Sequence, residues 1–327
     1  LFLELRRPAT QYNNTMQSKE FKLVSSDGIN IHVYEWLPDD PHMVKAIIQI
    51  AHGMAEHAGR YENFARFLTD NDFAVYANDH RGHGKTAGEL ENVGFLAPKD
   101  GWARVVNDFA QVGKYSKEQH KDKALYIMGH SMGSFIVRNY LTAADTEIQG
   151  AIFSGTADDP GMLGKVGILL TRLMMLFYPA KSPSPFMDKL SFGAFNKAFK
   201  PNRTKFDWLS RDDDQVDKYI ADPYCGGIFS IGFFKDMLGG ILFVSQQKNI
   251  NKIPLTLPVL IFSGENDPVG DDGKGVKAVY EKFKKAGHTD LNIKLFAEGR
   301  HEMLNEINKE EVYHLVLDWL NTRQIDK

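Results

Sequence analysis

The stretch Gly129-His130-Ser131-Met132-Gly133 restricts the fold of this chain more than any other. An apolar run, Ala124-Leu125-Tyr126-Ile127-Met128, leads into it, and a helical pattern of Phe135, Ile136, Val137, Tyr140 and Leu141 leaves it. Strand, Gly-x-Ser-x-Gly and helix, in that order, make a nucleophile elbow. The glycines answer a steric problem. A serine at so sharp a turn takes a strained backbone conformation, and neighbouring chain passes close on both sides. Glycine two positions before and two after removes the Cβ atoms that would collide. The hydroxyl then stands above the strand ends, and the Met132 N–H lies at a helix N-terminus, where anionic oxygen is favoured. Taken alone, the pentapeptide is equally compatible with a glycine-rich strand-to-helix turn carrying an incidental serine, so other residues must decide.

Periodicity supplies the frame. Phe21-Lys22-Leu23-Val24 and the stretch from Ile29 to Trp36 alternate apolar and polar around Asp27-Gly28, a hairpin signal. Residues 45–51 form a continuous apolar run that predicts a buried parallel strand ending at His52-Gly53. Helix-period patterns over 61–70 and 102–120 bracket a strand at 73–78, which ends in Asp79-His80-Arg81-Gly82-His83-Gly84. A strand at 148–154 follows the elbow helix. The alternation resumes only with a strand at 257–263, a helix at 276–283, a strand at 291–296 and a final helix at 312–320. Strands alternating with helices predict an α/β fold with a mostly parallel central sheet covered on both faces.

Residues 156–251 break that rhythm, are too long for a loop, and carry helical patterns of their own. They read as a helical cap inserted over the elbow, between a first core part (18–155) and a second (252–327). Residues 1–17 read as a leader. Within it, 1–15 resemble a cloning or fusion remnant or a frayed leader, with Met16 as the native start. No run reaches the roughly 20 apolar residues of a membrane span. The 39 basic and 42 acidic residues give no electrostatic footprint for nucleic acid. The single cysteine, Cys225, excludes an intrachain disulfide and fits a reducing, cytoplasmic setting.

A serine hydroxyl needs a base, the base needs an acid to fix its tautomer, and acyl transfer needs donors for the oxyanion. Candidates for each stand at predicted strand ends. Asp267 lies in Gly264-Glu265-Asn266-Asp267-Pro268, and His301 in Gly299-Arg300-His301-Glu302. The order Ser, Asp, His is one of three known for this constellation and belongs to the α/β-hydrolases. His52-Gly53-Met54 ends the 45–51 strand, where the Met54 amide is a candidate second oxyanion donor beside that of Met132.

With these residues in place, the chain resembles an α/β-hydrolase of the monoacylglycerol lipase and lysophospholipase branch. The match rests on His52-Gly53-Met54-Ala55-Glu56-His57 with Gly59-Arg60-Tyr61, on Asp79-His80-Arg81-Gly82-His83-Gly84, on Gly129 to Ser134, and on Gly299-Arg300-His301-Glu302. The resemblance implies Ser131, Asp267 and His301 as the triad and the Met54 and Met132 amides as the oxyanion hole, with no metal and no cofactor. It favours Asp267 as the acid over Glu265, Asp271 and Asp272. Asp79, His80 and His83 imitate a metal site but read as a tight structural loop, as do Glu56 and His57. Cys225 reads as a small buried cap residue.

The expected substrate is a single-acyl lipid ester. The alternatives are a general esterase for short or aromatic acyl groups, an aminopeptidase using Asp212-Asp213-Asp214 to hold an amine, and a non-catalytic binding protein. In the cap, residues 166–178 are apolar on nearly every helical face apart from Lys165 and Arg172. A second stripe runs through Phe233, Phe234, Met237, Leu238, Ile241 and Leu242. Such stripes either line an acyl pocket with a lipid-docking face outside, giving peripheral contact with membranes, or pack against the core.

Overall fold

The parallel run at the centre of the chain becomes the middle of an eight-stranded sheet in the computed structural model, which describes residues 16–143 and 147–323. The leader expected over 1–17 lies, for positions 1–15, outside the described residues. The strands are β1 (Gln17–Val24), β2 (Asn30–Leu37), β3 (Ala46–Ala51), β4 (Phe73–Asn78), β5 (Ala124–His130), β6 (Ile148–Ser154), β7 (Val259–Gly264) and β8 (Leu291–Phe296). They lie in the order β1-β2-β4-β3-β5-β6-β7-β8. β1 and β2 form an antiparallel hairpin, β2 meets β4 antiparallel, and every later pair is parallel. The parallel strands therefore deliver the chain to one common edge, where ligands bind in open α/β sheets.

The helices are α1 (Glu62–Thr69), α2 (Gly84–Ala87), α3 (Gly101–Gln119), α4 (Met132–Tyr140), α5 (Met162–Met174), α6 (Pro185–Phe192), α7 (Asp213–Ala221), α8 (Ile231–Val244), α9 (Gln247–Ile250), α10 (Lys274–Ala286) and α11 (Lys309–Asn321). The pleat of β3 explains why its run is apolar but for Gln49, whose buried Nε2 donates to Phe109 O at 2.7 Å. Ile47 and Ala51 enter the core shared with Val105, Phe109, Ile136 and Val279, on α3, α4 and α10. Ala46, Ile48 and Ile50 enter the opposite core, with Phe64 and Leu68 of α1 and Val316 and Leu320 of α11. A strand buried on both sides cannot alternate.

Helices α5 to α9 fall between β6 and β7. The stripe on α8 faces inward, with Phe233, Phe234 and Met237 buried in the core shared with α3 and α4. The helix expected over 166–178 runs instead from Met162 to Met174. Its inner face is Gly164, Gly167 and Thr171, Leu170 and Met174 are half-buried against the core, and Met162, Leu163, Val166, Leu169 and Leu173 point out. Gly167 allows this approach, since a Cβ there would sit 2.8 Å from Leu238 Cδ1 on α8.

Gly240, farther along α8, lies against the Trp102 indole, whose Nε1 donates to Asn139 Oδ1 at 2.9 Å. An added Cβ at Gly240 would meet the ring at 2.1 Å. Overpacking of this kind costs about 1–3 kcal/mol. Gly240→Ala is therefore expected to lower the urea midpoint despite the better helix propensity of alanine. An unchanged or raised midpoint would show that α8 shifts freely on the core.

Candidate active site

Ser131 occupies the turn between β5 and α4 with a φ of 50°, left-handed backbone that a non-glycine residue rarely adopts. Its N–H donates to Ser154 O on β6 at 2.9 Å, and its carbonyl accepts from Ser134 N at 2.9 Å and Ser134 Oγ at 2.6 Å. The flanking glycines are sterically required. A Cβ on Gly129 would lie 2.3 Å from Gly133 O, and one on Gly133 would lie 2.0 Å from Ala51 O.

The structure joins two of the expected side chains directly. His301 Nδ1 and Asp267 Oδ1 are 2.9 Å apart, both buried. Ser263 Oγ donates to Asp267 Oδ2 at 2.7 Å, and Val269 N donates to Oδ1 at 2.9 Å. Burial alone would raise the Asp267 pKa, but His301 and these donors outweigh it and hold the carboxyl below its usual range. Burial would likewise depress the imidazolium of His301, yet the negative charge of Asp267 and its hydrogen bond leave the His301 pKa raised. Glu265, Asp271 and Asp272 are exposed, and Asp271 pairs with Lys274 at 3.6 Å. Because Nδ1 is committed to Asp267, Nε2 is the nitrogen left for proton exchange. The Cε1 edge of the ring rests on Gly155, where an added Cβ would lie 3.0 Å away, one residue beyond the carbonyl that holds the Ser131 amide.

Two neighbours shape the histidine's surroundings. Trp208 lies tilted against the His301 ring at 5.2 Å, and the backbone of its segment binds the histidine loop through Glu302 N to Leu209 O at 2.7 Å. His130 lies 4.7 Å from His301 and is kept neutral, its pKa pushed down to about 3 by burial and then by His301 itself.

The loop after β3 carries Met54. Gly53 packs on Ser131, where an added Cβ would touch the serine Cβ at 3.3 Å, so the Met54 peptide begins beside the nucleophile. Glu56 fixes this loop. Its Oε1 accepts from Gly53 N at 2.6 Å and from Tyr61 OH at 2.8 Å, and its Oε2 pairs with Arg60 at 2.6 Å. Arg60 turns a second edge to Glu302, with NH1 and NH2 at 2.7 and 2.6 Å from the two carboxylate oxygens. The Met54 loop is thus clamped to the residue after His301. The sequence reading gave Glu56 a structural place but missed this function, because the partners are 242 positions apart. From the helical insertion, Tyr219 OH and Gly226 N both donate to Ala55 O, at 2.9 and 3.0 Å.

The Asp79 loop is structural, as its sequence suggested. Asp79 accepts from Ala58 N at 2.9 Å and Lys85 N at 2.7 Å, which commits both carboxylate oxygens. His80 N donates to His52 Nε2 at 2.9 Å, so His52 is the Nδ1–H tautomer, donating to Gly53 O at 2.7 Å. His80 and His83 are neutral, with burial pushing their pKa values to about 3 and about 4. Asp212 caps α7 by accepting from Gln215 N, and Asp213 pairs with Arg203, so the acidic run serves its own helix. Cys225 departs from expectation in being half-buried rather than enclosed.

A nucleophile elbow on a parallel sheet, with a buried aspartate–histidine pair at the same edge, defines the α/β-hydrolase class. Residues 42–308 match the serine aminopeptidase S33 family model. The chain belongs to that family and is a serine ester hydrolase. It is 27% identical to monoglyceride lipase of Homo sapiens, over 92% of this chain and 90% of that one. It is also 27% identical to monoacylglycerol lipase of Mycolicibacterium smegmatis, over 92% of this chain and 96% of the relative. A thermostable carboxyl esterase from Bacillus coagulans, solved in complex with glycerol, superposes with a TM-score of 0.87 at 26% identity, covering 95% of this chain and 100% of that one.

Removing one partner of a buried ion pair strands the other charges and costs about 3–5 kcal/mol. Arg60→Ala leaves both Glu56 and Glu302 unmatched, so a loss of that size in chemical denaturation is expected. A loss below about 1 kcal/mol would mean that the two carboxylates find other partners.

Proposed function

We propose that this enzyme hydrolyses esters of single-acyl lipids, monoacylglycerols foremost, through Ser131, His301 and Asp267. Ser131 Oγ attacks the ester carbonyl while His301 Nε2 takes its proton. Asp267 stabilises the imidazolium so formed, and the Met54 and Met132 amides receive the oxyanion. The tetrahedral intermediate collapses as His301 protonates the leaving alcohol, and water releases the acyl group by the same steps in reverse roles. Every group in this scheme belongs to the chain itself.

The observation that carries the substrate class is the outward apolar surface of α5 and of the turn that follows it, residues 175–178. Leu169 is 56% exposed, Leu173 47%, Leu176 74% and Phe177 81%. Lys165 and Arg172 are exposed among them. A helix that turns its large apolar side chains to water, with cations between them, suits the headgroup and acyl boundary of a lipid surface. No described helix is long and apolar enough to cross a membrane, so docking is the mode that fits. The relatives named as monoglyceride and monoacylglycerol lipases support the same substrate class. Monoacylglycerols come ahead of lysophospholipids because both of these relatives are named for that substrate. An aminopeptidase reading is not favoured, since Asp212 and Asp213 are engaged at α7.

The triad predicts that Ser131→Ala lowers kcat by on the order of 10⁵–10⁶ and Asp267→Asn by about 10⁴, with folding intact. Asp271→Asn costs far less, and an equal loss there would reassign the acid. Catalysis needs neutral His301, and its pKa is raised, so kcat/KM should fall with acid through an inflection above 6.5. Asp267→Asn removes the charge that raises it, moving the inflection to lower pH.

Lipid docking has its own test. Burying a leucine is worth about 1.5–3 kcal/mol. The triple change of Leu169, Leu173 and Leu176 to serine should therefore abolish liposome binding and slow hydrolysis of monoacylglycerol in vesicles, while a short water-soluble ester is cleaved as before. Unchanged liposome binding by the folded variant overturns the docking surface. A panel of monoacylglycerols, lysophospholipids, p-nitrophenyl esters and aminoacyl amides separates the substrate classes.

A further inference from the structure

A second cluster of chemically able side chains lies at the seam between the Met54 loop and the helical insertion. His57 Nε2 donates to Asp222 Oδ2 at 2.8 Å across this seam, between residues 165 positions apart. Cys225 completes the group. One donor atom from each of the three lies within 4.8 Å of the other two, and all three residues are half-buried. The turn after α7 builds this arrangement. Cys225 N donates to Asp222 O at 3.0 Å, which folds the cysteine back towards the aspartate. Tyr224 N donates to Asp222 Oδ1 at 2.9 Å, which leaves Oδ2 for His57.

We propose that His57, Asp222 and Cys225 form a binding site for a thiophilic divalent cation, zinc foremost, and that its occupancy inhibits ester hydrolysis. One imidazole, one carboxylate and one thiolate are zinc's usual donors, with a fourth position open to water. Tetrahedral bonds of about 2.0–2.3 Å place such donors roughly 3.3–3.7 Å apart, so the widest pair needs to close by about 1 Å. On binding, the Cys225 thiol releases its proton to solvent, and the His57 proton moves from Nε2 to Nδ1. The dication is then balanced by one thiolate and one carboxylate. Arg60 lies within electrostatic reach of both Asp222 and Cys225, but Glu56 and Glu302 match its charge, which limits its repulsion of the metal.

The route to inhibition is short. Gly226, next to Cys225, donates to Ala55 O, and Ala55 adjoins Met54. Drawing Cys225 towards His57 moves both ends of that contact and displaces the Met54 amide from the oxyanion. Displacements of about 1 Å at such a position cost up to 10²-fold in rate. This inhibitory step rests on the reading of Met54 as an oxyanion donor, whereas the binding site does not.

The test uses the full chain, first for metal and then for rate. Cobalt(II) should bind one per chain and give a near-ultraviolet thiolate-to-cobalt band, assignable because Cys225 is the single cysteine. Zinc should displace it and lower kcat/KM for a water-soluble ester at least tenfold, and EDTA should restore the rate. Cys225→Ser should lose the band and need at least tenfold more zinc for half-inhibition, with its metal-free rate close to that of the parent. Asp222→Asn should weaken zinc binding as well. Absence of the cobalt band, or zinc inhibition unchanged in Cys225→Ser, overturns the site. A cobalt band with no zinc inhibition keeps the site but overturns its coupling to Met54, and does so without touching the triad.

Discussion

The close passage of three backbone segments at the elbow sets the positions of nearly everything else in this enzyme. Ser131 is held in a conformation that costs about 1–3 kcal/mol, and that cost is sustained only where the surroundings leave no alternative. Here Gly133 lies so close to Ala51 that no side chain fits between α4 and the end of β3. The same closeness brings Gly53 against the serine, so the loop with the Met54 amide starts beside the nucleophile. On the other flank, the Ser154 carbonyl holds the serine amide, and Gly155 provides the flat seat on which the His301 ring rests. Ser131, His301 and the Met54 loop, the proposed nucleophile, base and oxyanion loop, are thus placed by backbone contacts.

Charge around the site follows a consistent division. His52, His80, His83 and His130 are buried and neutral, so none competes with His301 for a proton or repels its cation. The anionic groups within reach of His301 are Asp267, then Glu302 and Glu56, and all favour the imidazolium. Arg60 tempers the last two while joining the Met54 loop to the His301 loop. One buried ion network therefore fixes geometry between the two loops and biases His301 towards its charged form, the form the proposed mechanism requires of it.

What the sequence made legible was local. The alternation of strands and helices, the Gly-x-Ser-x-Gly turn, and the loops holding Asp267 and His301 are each written in fewer than about twenty consecutive residues, where periodicity and turn chemistry act. The relation of His301 to Asp267 rather than to Asp271 or Asp272 came from family position, and the pair's hydrogen bond and the exposure of its rivals agree with it. Contacts that cross the chain left no local trace. Arg60 with Glu302, Tyr219 with Ala55, and His57 with Asp222 pair residues more than 160 positions apart, so no local pattern joins them. The orientation of α5 was equally hidden. A helix apolar on nearly all faces has no pattern to say which side is buried. Its glycines were the clue, since close packing needs small residues on the inner face.

That inverted helix also connects the outward apolar surface to the elbow. Gly164 and Gly167 let α5 sit directly on α8, and α8 packs in turn on α4, the helix that begins at Met132. Arg138 of α4 reinforces this stack by donating to Ala157 O at the start of the insertion and to Val244 O at the end of α8. Only two helix layers therefore separate the outward leucines of α5 from Ser131. Glycines at the first joint and the Arg138 hydrogen bond to Val244 O at the second tie each layer to the next. The glycines that turn the apolar face of α5 outward thus also seat it on the helices that carry the elbow.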